Sequence, residues 1–291
     1  MRGTAAVLAA LLGFATSWTG VALAEVSVDP HGPLVNTIIM GSVVDDPDPI
    51  GIWLQYRDHP PSQVLNASGH ARGDGRPDIR FKTNTYPVAV WAYNAGTDHD
   101  IAFSEWDGNV WAPTEFLTVG TDDELDPRVA VEDDGTVHVV WWTTGGTHKV
   151  YLATRPAGSA VWDAPVLVTG AGEEGRRPAV AVDAGGLRVA YERGSALPGM
   201  AQDIVVATRQ PGGSFTFEVV GSTIRTDRLD VMIHQLQDHL WLDWKHEADE
   251  FGCVEWQGSG WSPIGPESWD DPSWVGVESV RKLIQNRVLD P

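Results

Sequence analysis

A period of about fifty residues constrains this chain more than any single motif. Four segments align: Arg76-Pro77-Asp78-Ile79-Arg80-Phe81, Asp126-Pro127-Arg128-Val129-Ala130-Val131, Arg177-Pro178-Ala179-Val180-Ala181-Val182 and Arg228-Leu229-Asp230-Val231-Met232-Ile233. Their starts lie 50, 51 and 51 residues apart. A repeat of this length marks a small unit that cannot bury its faces alone and must stack on its neighbours.

Each segment is followed by the same three elements. A second strand is expected at Pro87–Tyr93, Val137–Thr143, Leu187–Tyr191 and His239–Trp244, with Trp91, Trp141, Tyr191 and Trp244 at matching places. A third follows at Asp100–Phe103, Lys149–Ala153, Asp203–Ala207 and Phe251–Glu255, then a turn and a fourth strand opened by Trp111, Trp162, Phe217 or Trp261. Apolar–polar alternation, β-branched enrichment and Gly/Asp turns all read as strand. Four antiparallel strands per repeat make an all-β protein, a β-propeller of four-stranded blades. The fourteen Trp then find a use as filling between blades.

Val35–Val43, Ile50–Arg57 and Gln63–Asn66 supply strands two to four of an earlier blade, which makes five. Its first strand is expected from Ser279–Leu289, closing the ring through the two termini. Val280, Leu283, Ile284 and Val288 fall at helical spacing, however. A short C-terminal helix capping one end is therefore the alternative, with Glu25–Val28 completing the first blade.

Ahead of the repeats, Arg2, the apolar run Ala5–Phe14 and Ala22-Leu23-Ala24 read as a secretory signal cleaved near Ala24. The domain expectation is a signal peptide over 1–24 and one propeller over 25–291, placed in the periplasm or the medium. The apolar run is too short to span a bilayer, so no membrane insertion is expected. A formal net charge of −20 opposes nucleic-acid binding, since no basic tract offsets it. The lone Cys253 cannot form an internal disulfide, and its apolar setting reads as an inert buried thiol. The expected state is a monomer.

Turns after the third strand resemble the Asp box of sialidase-like (BNR-repeat) propellers, Ser/Thr-x-Asp-x-Gly-x-x-Trp/Phe. Ser104, Gly108 and Trp111 hold the first, fifth and eighth places, with Trp106 where the Asp would stand. Thr208, Gly212 and Phe215 keep the same places without the Asp, Thr154 and Gly158 do so with Trp162 one residue late, and Gly258 and Trp261 keep the last two. The resemblance spans about residues 76–265 and implies architecture rather than activity. The sialidase catalytic set does not map onto this chain residue by residue.

Repeat symmetry sets Arg76, Asp126, Arg177 and Arg228 at one height near one end of the channel, where three guanidiniums could grip a carboxylate or sulfate. Local ion pairs with Asp74, Glu174 and Asp227 are the bland reading. Period-two alternation aims Asp78, Arg128 and Asp230 to the same side. Asp78, Glu124, Asp126 and Asp230 are thus the carboxylates available for a glycosidase pair, which needs two roughly 5–10 Å apart. Turn support is the commoner role of Asp.

No metal is expected: His234, His239 and His246 match no zinc spacing. Asp45-Asp46-Pro47-Asp48 and Asp122-Asp123-Glu124 offer oxygen ligands to Ca²⁺ without the EF-hand pattern. No other cofactor is implied, since no serine-hydrolase elbow, P-loop or dinucleotide pattern occurs.

The leading expectation is a recognition module for a glycan, without catalysis, with Trp106, Trp269 and Trp274 as stacking platforms at loop tips. The first rival is a glycoside hydrolase or polysaccharide lyase using channel-mouth carboxylates. The second is a scaffold that binds a protein ligand. Fold alone does not choose among them.

Overall fold

The computed structural model describes residues 21–28, 37–43, 51–56, 63–67, 75–81, 87–107, 111–194, 201–224, 231–236, 239–247, 250–262 and 265–266. These form five four-stranded antiparallel sheets and no helix. The first holds β1 (Val21–Val28), β2 (Thr37–Val43), β3 (Gly51–Tyr56) and β4 (Gln63–Ala67). The second holds β5 (Gly75–Phe81), β6 (Pro87–Asn94), β7 (His99–Glu105) and β8 (Glu115–Phe116). The third runs through β9 (Glu124–Val131), β10 (Val137–Thr143), β11 (Lys149–Arg155) and β12 (Val166–Leu167). The fourth comprises β13 (Gly175–Asp183), β14 (Gly186–Arg193), β15 (Ala201–Arg209) and β16 (Phe215–Ile224). The fifth comprises β17 (Met232–Leu236), β18 (His239–Glu247), β19 (Glu250–Glu255) and β20 (Gly265–Pro266).

Every sheet is an up-and-down meander whose strands pair in sequence order. The first strands of successive sheets lie against one another, β1 on β5, β5 on β9, β9 on β13 and β13 on β17. First strands innermost and fourth strands outermost define five blades of a β-propeller.

In the first blade, β1 fills the place of the first strand. The alternative assignment of Glu25–Val28 is therefore the arrangement present, and the segment 279–289 lies outside the described residues. Glu25, Val26, Ser27 and Val28 pair with Met40, Ile39, Ile38 and Thr37, and the register is irregular between Leu23 and Glu25. Cleavage after Ala24 would fall at that irregularity and leave the four-residue ladder intact. No helix among the described residues is long and apolar enough to cross a membrane.

The core is a series of seams between blades. Val88, Val90, Ile101 and Phe103 meet Val129, Val137, Val139 and Trp141 between the second and third blades. Val140, Val150 and Leu152 meet Val180, Val189, Tyr191 and Val205 between the third and fourth. Ile204 and Val206 meet Ile233, Leu242 and Trp244 between the fourth and fifth. Period two explains the sorting: on β10 the odd residues face the second blade and the even ones the fourth. Trp91, Trp141, Tyr191 and Trp244, the recurrent second-strand aromatics, are at most 2% exposed. Burial of a large side chain of this kind contributes about 1.5–3 kcal/mol.

Candidate functional site

One local irregularity recurs at the start of the innermost strands. In β5, β9 and β13 the ladder slips by one residue, between Gly75 and Asp78, between the partners of Val140 and Trp142, and between Arg176 and Ala179. The extra residue belongs to Arg76-Pro77, Asp126-Pro127 and Arg177-Pro178. Each pair faces a single second-strand aromatic, Trp91, Trp141 or Tyr191. Proline fits here because a bulge leaves an N–H without a ladder partner. Asp126 and Arg177 take left-handed φ angles of 50° and 47°. Among the described residues these are the only non-glycine positions that do so.

The bulge resets the alternation. Glu124 pairs with Thr143 and Arg128 with Val140, so the two even-numbered residues of β9 face opposite blades. Trp142, which bonds Asp126, and Val140, which stands opposite Arg128, both face the fourth blade, so the inserted residue leaves Asp126 and Arg128 on one side and turns Glu124 to the other. Asp78 faces the third blade and is 1% exposed. Its Oδ1 accepts from the Ile79 N–H at 2.9 Å and from Arg80 at 2.9 Å, while Oδ2 accepts from the Val129 N–H of the next blade at 2.8 Å. Asp78 thus ties two blades together through backbone donors.

Asp126 and Arg177 are also engaged. Trp142 Nε1 donates to Asp126 Oδ2 at 2.7 Å. Arg177 Nη1 donates to Glu192 Oε1 at 3.2 Å, and both side chains are buried. The guanidinium is therefore neutralised inside the fold, which is the local-pair reading with a different acid from Glu174. Its neighbour Arg176 takes Glu174, at 2.8 Å, and also donates to His148 Nδ1 at 3.0 Å and to the Gly194 carbonyl at 3.2 Å. A donor-only guanidinium fixes that His148 nitrogen as an acceptor. The His148 ring lies 5.3 Å from Trp142, which continues the chain back to Asp126.

The same end of the propeller gathers carboxylates where β7 and β9 begin. Glu124, 8% exposed, accepts from Thr118 Oγ1 at 3.2 Å. Burial pushes its carboxyl up to about 7, and the charges of Asp100, Asp122 and Asp98 add to the rise against the Thr118 bond. Burial also raises Asp100, reinforced by Asp98 and opposed by the Gly120 N–H and by His99. His99 Nδ1 meets Asp123 Oδ1 at 2.8 Å, linking the second blade to the third. Among the described residues no group of three or more His, Cys, Asp or Glu side chains is arranged to hold a metal ion.

Trp106 is not a platform at a loop tip. It is 6% exposed and packs edge-to-face on Trp111, with ring centroids 5.8 Å apart, over Ile79, Ala89 and Trp91. Trp256 and Trp261 repeat this arrangement at 5.5 Å. Both pairs also form isolated backbone bridges, so a tryptophan pair closes the turn where an Asp box would place its Asp. Ser104 Oγ donates across the same turn to the Ala112 carbonyl at 2.7 Å. A groove of about 360 Å³ opens beside it, lined by Phe103, Glu105, Glu115 and Arg155.

Arg76 occupies the β5 bulge, whereas Arg228, Asp230, Trp269 and Trp274 lie outside the described residues. Residue-by-residue reading missed Glu192, Arg176, His148 and Asp100. The one sequence signal for the first two was the X-Pro pair recurring at the blade start.

Comparison with known proteins bears on the fold. No family model matches the chain, and no curated protein matches it. Solved structures do. A protein of unknown function from Dyadobacter fermentans superposes with a TM-score of 0.56 at 11% identity, covering 81% of this chain and 78% of that one. The Hadza microbial sialidase Hz136 gives 0.52 at 14% identity, over 79% of this chain and 54% of the sialidase. The chain thus spans about half the length of that enzyme. A thermostable family-43 glycoside hydrolase gives 0.51 at 12% identity, with 84% and 94% covered. The protein therefore has the β-propeller fold that these carbohydrate-active enzymes have.

Proposed function

We propose that this protein is an exported glycan-binding propeller that takes its ligand at the end where the inner strands begin. One observation carries the reading: left-handed backbone at Asp126 and Arg177, equivalent places in successive blades. Each costs about 1–3 kcal/mol and persists only where the surroundings hold it, and such strain gathers at functional sites. Around it stand Glu124, Asp100, Asp123 and His99, groups suited to the hydroxyls of a neutral sugar. The two named glycan-processing enzymes of like fold support the class of ligand. Binding rather than turnover is favoured because Asp78 and Asp126 already serve N–H donors. The test is a glycan-array screen of residues 25–291, with and without Ca²⁺, followed by product analysis of every hit. A Glu124→Gln/Asp126→Asn double variant should lose about tenfold or more in affinity, as expected for removing charged hydrogen-bond partners. Undiminished binding by the double variant would sink the site assignment.

The hydrolase reading has one observation of its own, the Glu124 carboxyl at about 7. A carboxyl part-protonated at neutral pH suits a general acid. Cleaved product from the wild type, abolished by Glu124→Gln with binding retained, would move the assignment to catalysis.

A further inference from the structure

We propose that Thr154, His138 and Glu132 form a second, separate centre able to transfer a small acyl group, with Thr154 Oγ1 as the nucleophile. The register of β10 on β11 sets His138 directly opposite Thr154, on the face turned to the fourth blade. His138 Nδ1 lies 3.0 Å from Thr154 Oγ1, and His138 Nε2 lies 2.6 Å from Glu132 Oε1. Arg209, from β15 of the next blade, donates from Nη1 to Thr154 Oγ1 at 3.1 Å.

The direction of every proton follows from these partners. The Glu132 carboxylate accepts the ring N–H at Nε2, and in a neutral imidazole that leaves Nδ1 bare. The Thr154 hydroxyl donates to Nδ1. A guanidinium only donates, so Arg209 occupies a lone pair of Oγ1. Hydroxyl, imidazole and carboxylate thus stand in the order that activates a nucleophile, with the base oriented by a third group. Burial lowers the His138 pKa against the pull of Glu132, with Asp134 also raising it and Arg209 lowering it, so the ring is neutral and basic at pH 7.

With a carboxylic ester, Thr154 Oγ1 attacks the carbonyl carbon while its proton passes to Nδ1. The Arg209 guanidinium stabilises the negative charge that develops beside Oγ1. The C–O bond to the alcohol breaks, and the departing alkoxide takes the proton from Nδ1, leaving an acyl-threonine. Water then attacks the acyl carbon by the reverse proton path, releasing the acid and restoring the hydroxyl. His138 is 3% exposed and lies behind a part-exposed Thr154, so only a small acyl group reaches Oγ1. The centre lies beside the turn closed by the Ala157 N–H on Thr136 Oγ1, at the end of the third blade away from Asp126.

The test uses the full chain and a fluorophosphonate probe, with the modified residue located by peptide mass spectrometry. Attack on phosphorus would expel fluoride and leave the phosphonyl group on Thr154. Labelling should survive in Thr154→Ser, vanish in Thr154→Val, and slow by about tenfold or more in Glu132→Gln. Glu132 is chosen because its side chain is 39% exposed, so the amide is accommodated without refolding the seam. The labelling rate should rise with pH and level off with a midpoint below 6.5, the ordinary histidine value. A wild-type chain labelled at Thr154 no more than heat-denatured chain, or Glu132→Gln labelled at the wild-type rate, overturns the proposal.

Discussion

At Glu124 the balance between burial and charge has a measurable sign. Its carboxyl is held near 7 when folded, against 4.5 for the free group. Between those values the native state holds a proton that the unfolded chain has lost. Stability therefore falls as pH rises from about 4.5 to 7 and is flat above. Glu124→Gln should remove that slope, with a gain on the order of 2–3 kcal/mol at most at pH 8. Urea denaturation at pH 5 and pH 8 checks both points. Asp78 contributes through its contacts, since its carboxylate accepts from two buried N–H groups on two blades. Asp78→Ala should cost about 2–4 kcal/mol, the sum of two stranded donors. A loss under 0.5 kcal/mol, roughly the scale of a neutral surface change, would show that water replaces the carboxylate.

Among the elements, the bulged inner strand makes the sharpest demand on sequence. Asn enters left-handed backbone readily and keeps an acceptor for Trp142. Asp126→Asn should therefore fall within about 1 kcal/mol of the wild type, while the β-branched Asp126→Val should lose about 2–4 kcal/mol. Thermal unfolding of the two variants separates backbone strain from side-chain contact. A second demand lies on β16, where a Cβ at Gly221 would come within 2.2 Å of Trp244 Cζ2. Gly221→Ala should cost about 1–3 kcal/mol through displacement of that ring, read from the shift of the denaturation midpoint.

These elements also show what a sequence discloses. The strands were legible because period two and a recurring aromatic are enforced at every blade by the seams. The side that Glu124 faces is not legible, because the X-Pro pair that follows it inserts a residue and breaks the alternation. Trp106 was misplaced for a related reason. A Gly-flanked tryptophan reads as a loop tip until its partner five residues on, Trp111, folds back over it. Ion pairs such as Arg177 with Glu192 were invisible, because they join positions that only the ladder brings together.

Over the whole molecule, one cysteine and a net charge of −20 set the behaviour in solution. No disulfide closes the chain, so the melting temperature should not respond to reductant. Self-repulsion should make it rise by a few degrees as salt is raised, since screening acts chiefly on exposed like charges. A melting temperature that falls with salt would mean that ion pairs between blades, such as Arg155 with Glu105, outweigh the global repulsion.

The inserted residue at Asp126-Pro127 and its counterparts in β5 and β13 divides each of these three strands into two territories. Downstream, apolar side chains such as Ile79, Val129 and Val180 answer to the seams and must keep their volume. Upstream, residues such as Glu124 are out of phase with that code and touch the open end instead. A lineage carrying this fold can thus rewrite its chemistry in the first three residues of a blade without renegotiating the packing of the rest. Variation among relatives should accordingly be dense before the proline and sparse after it.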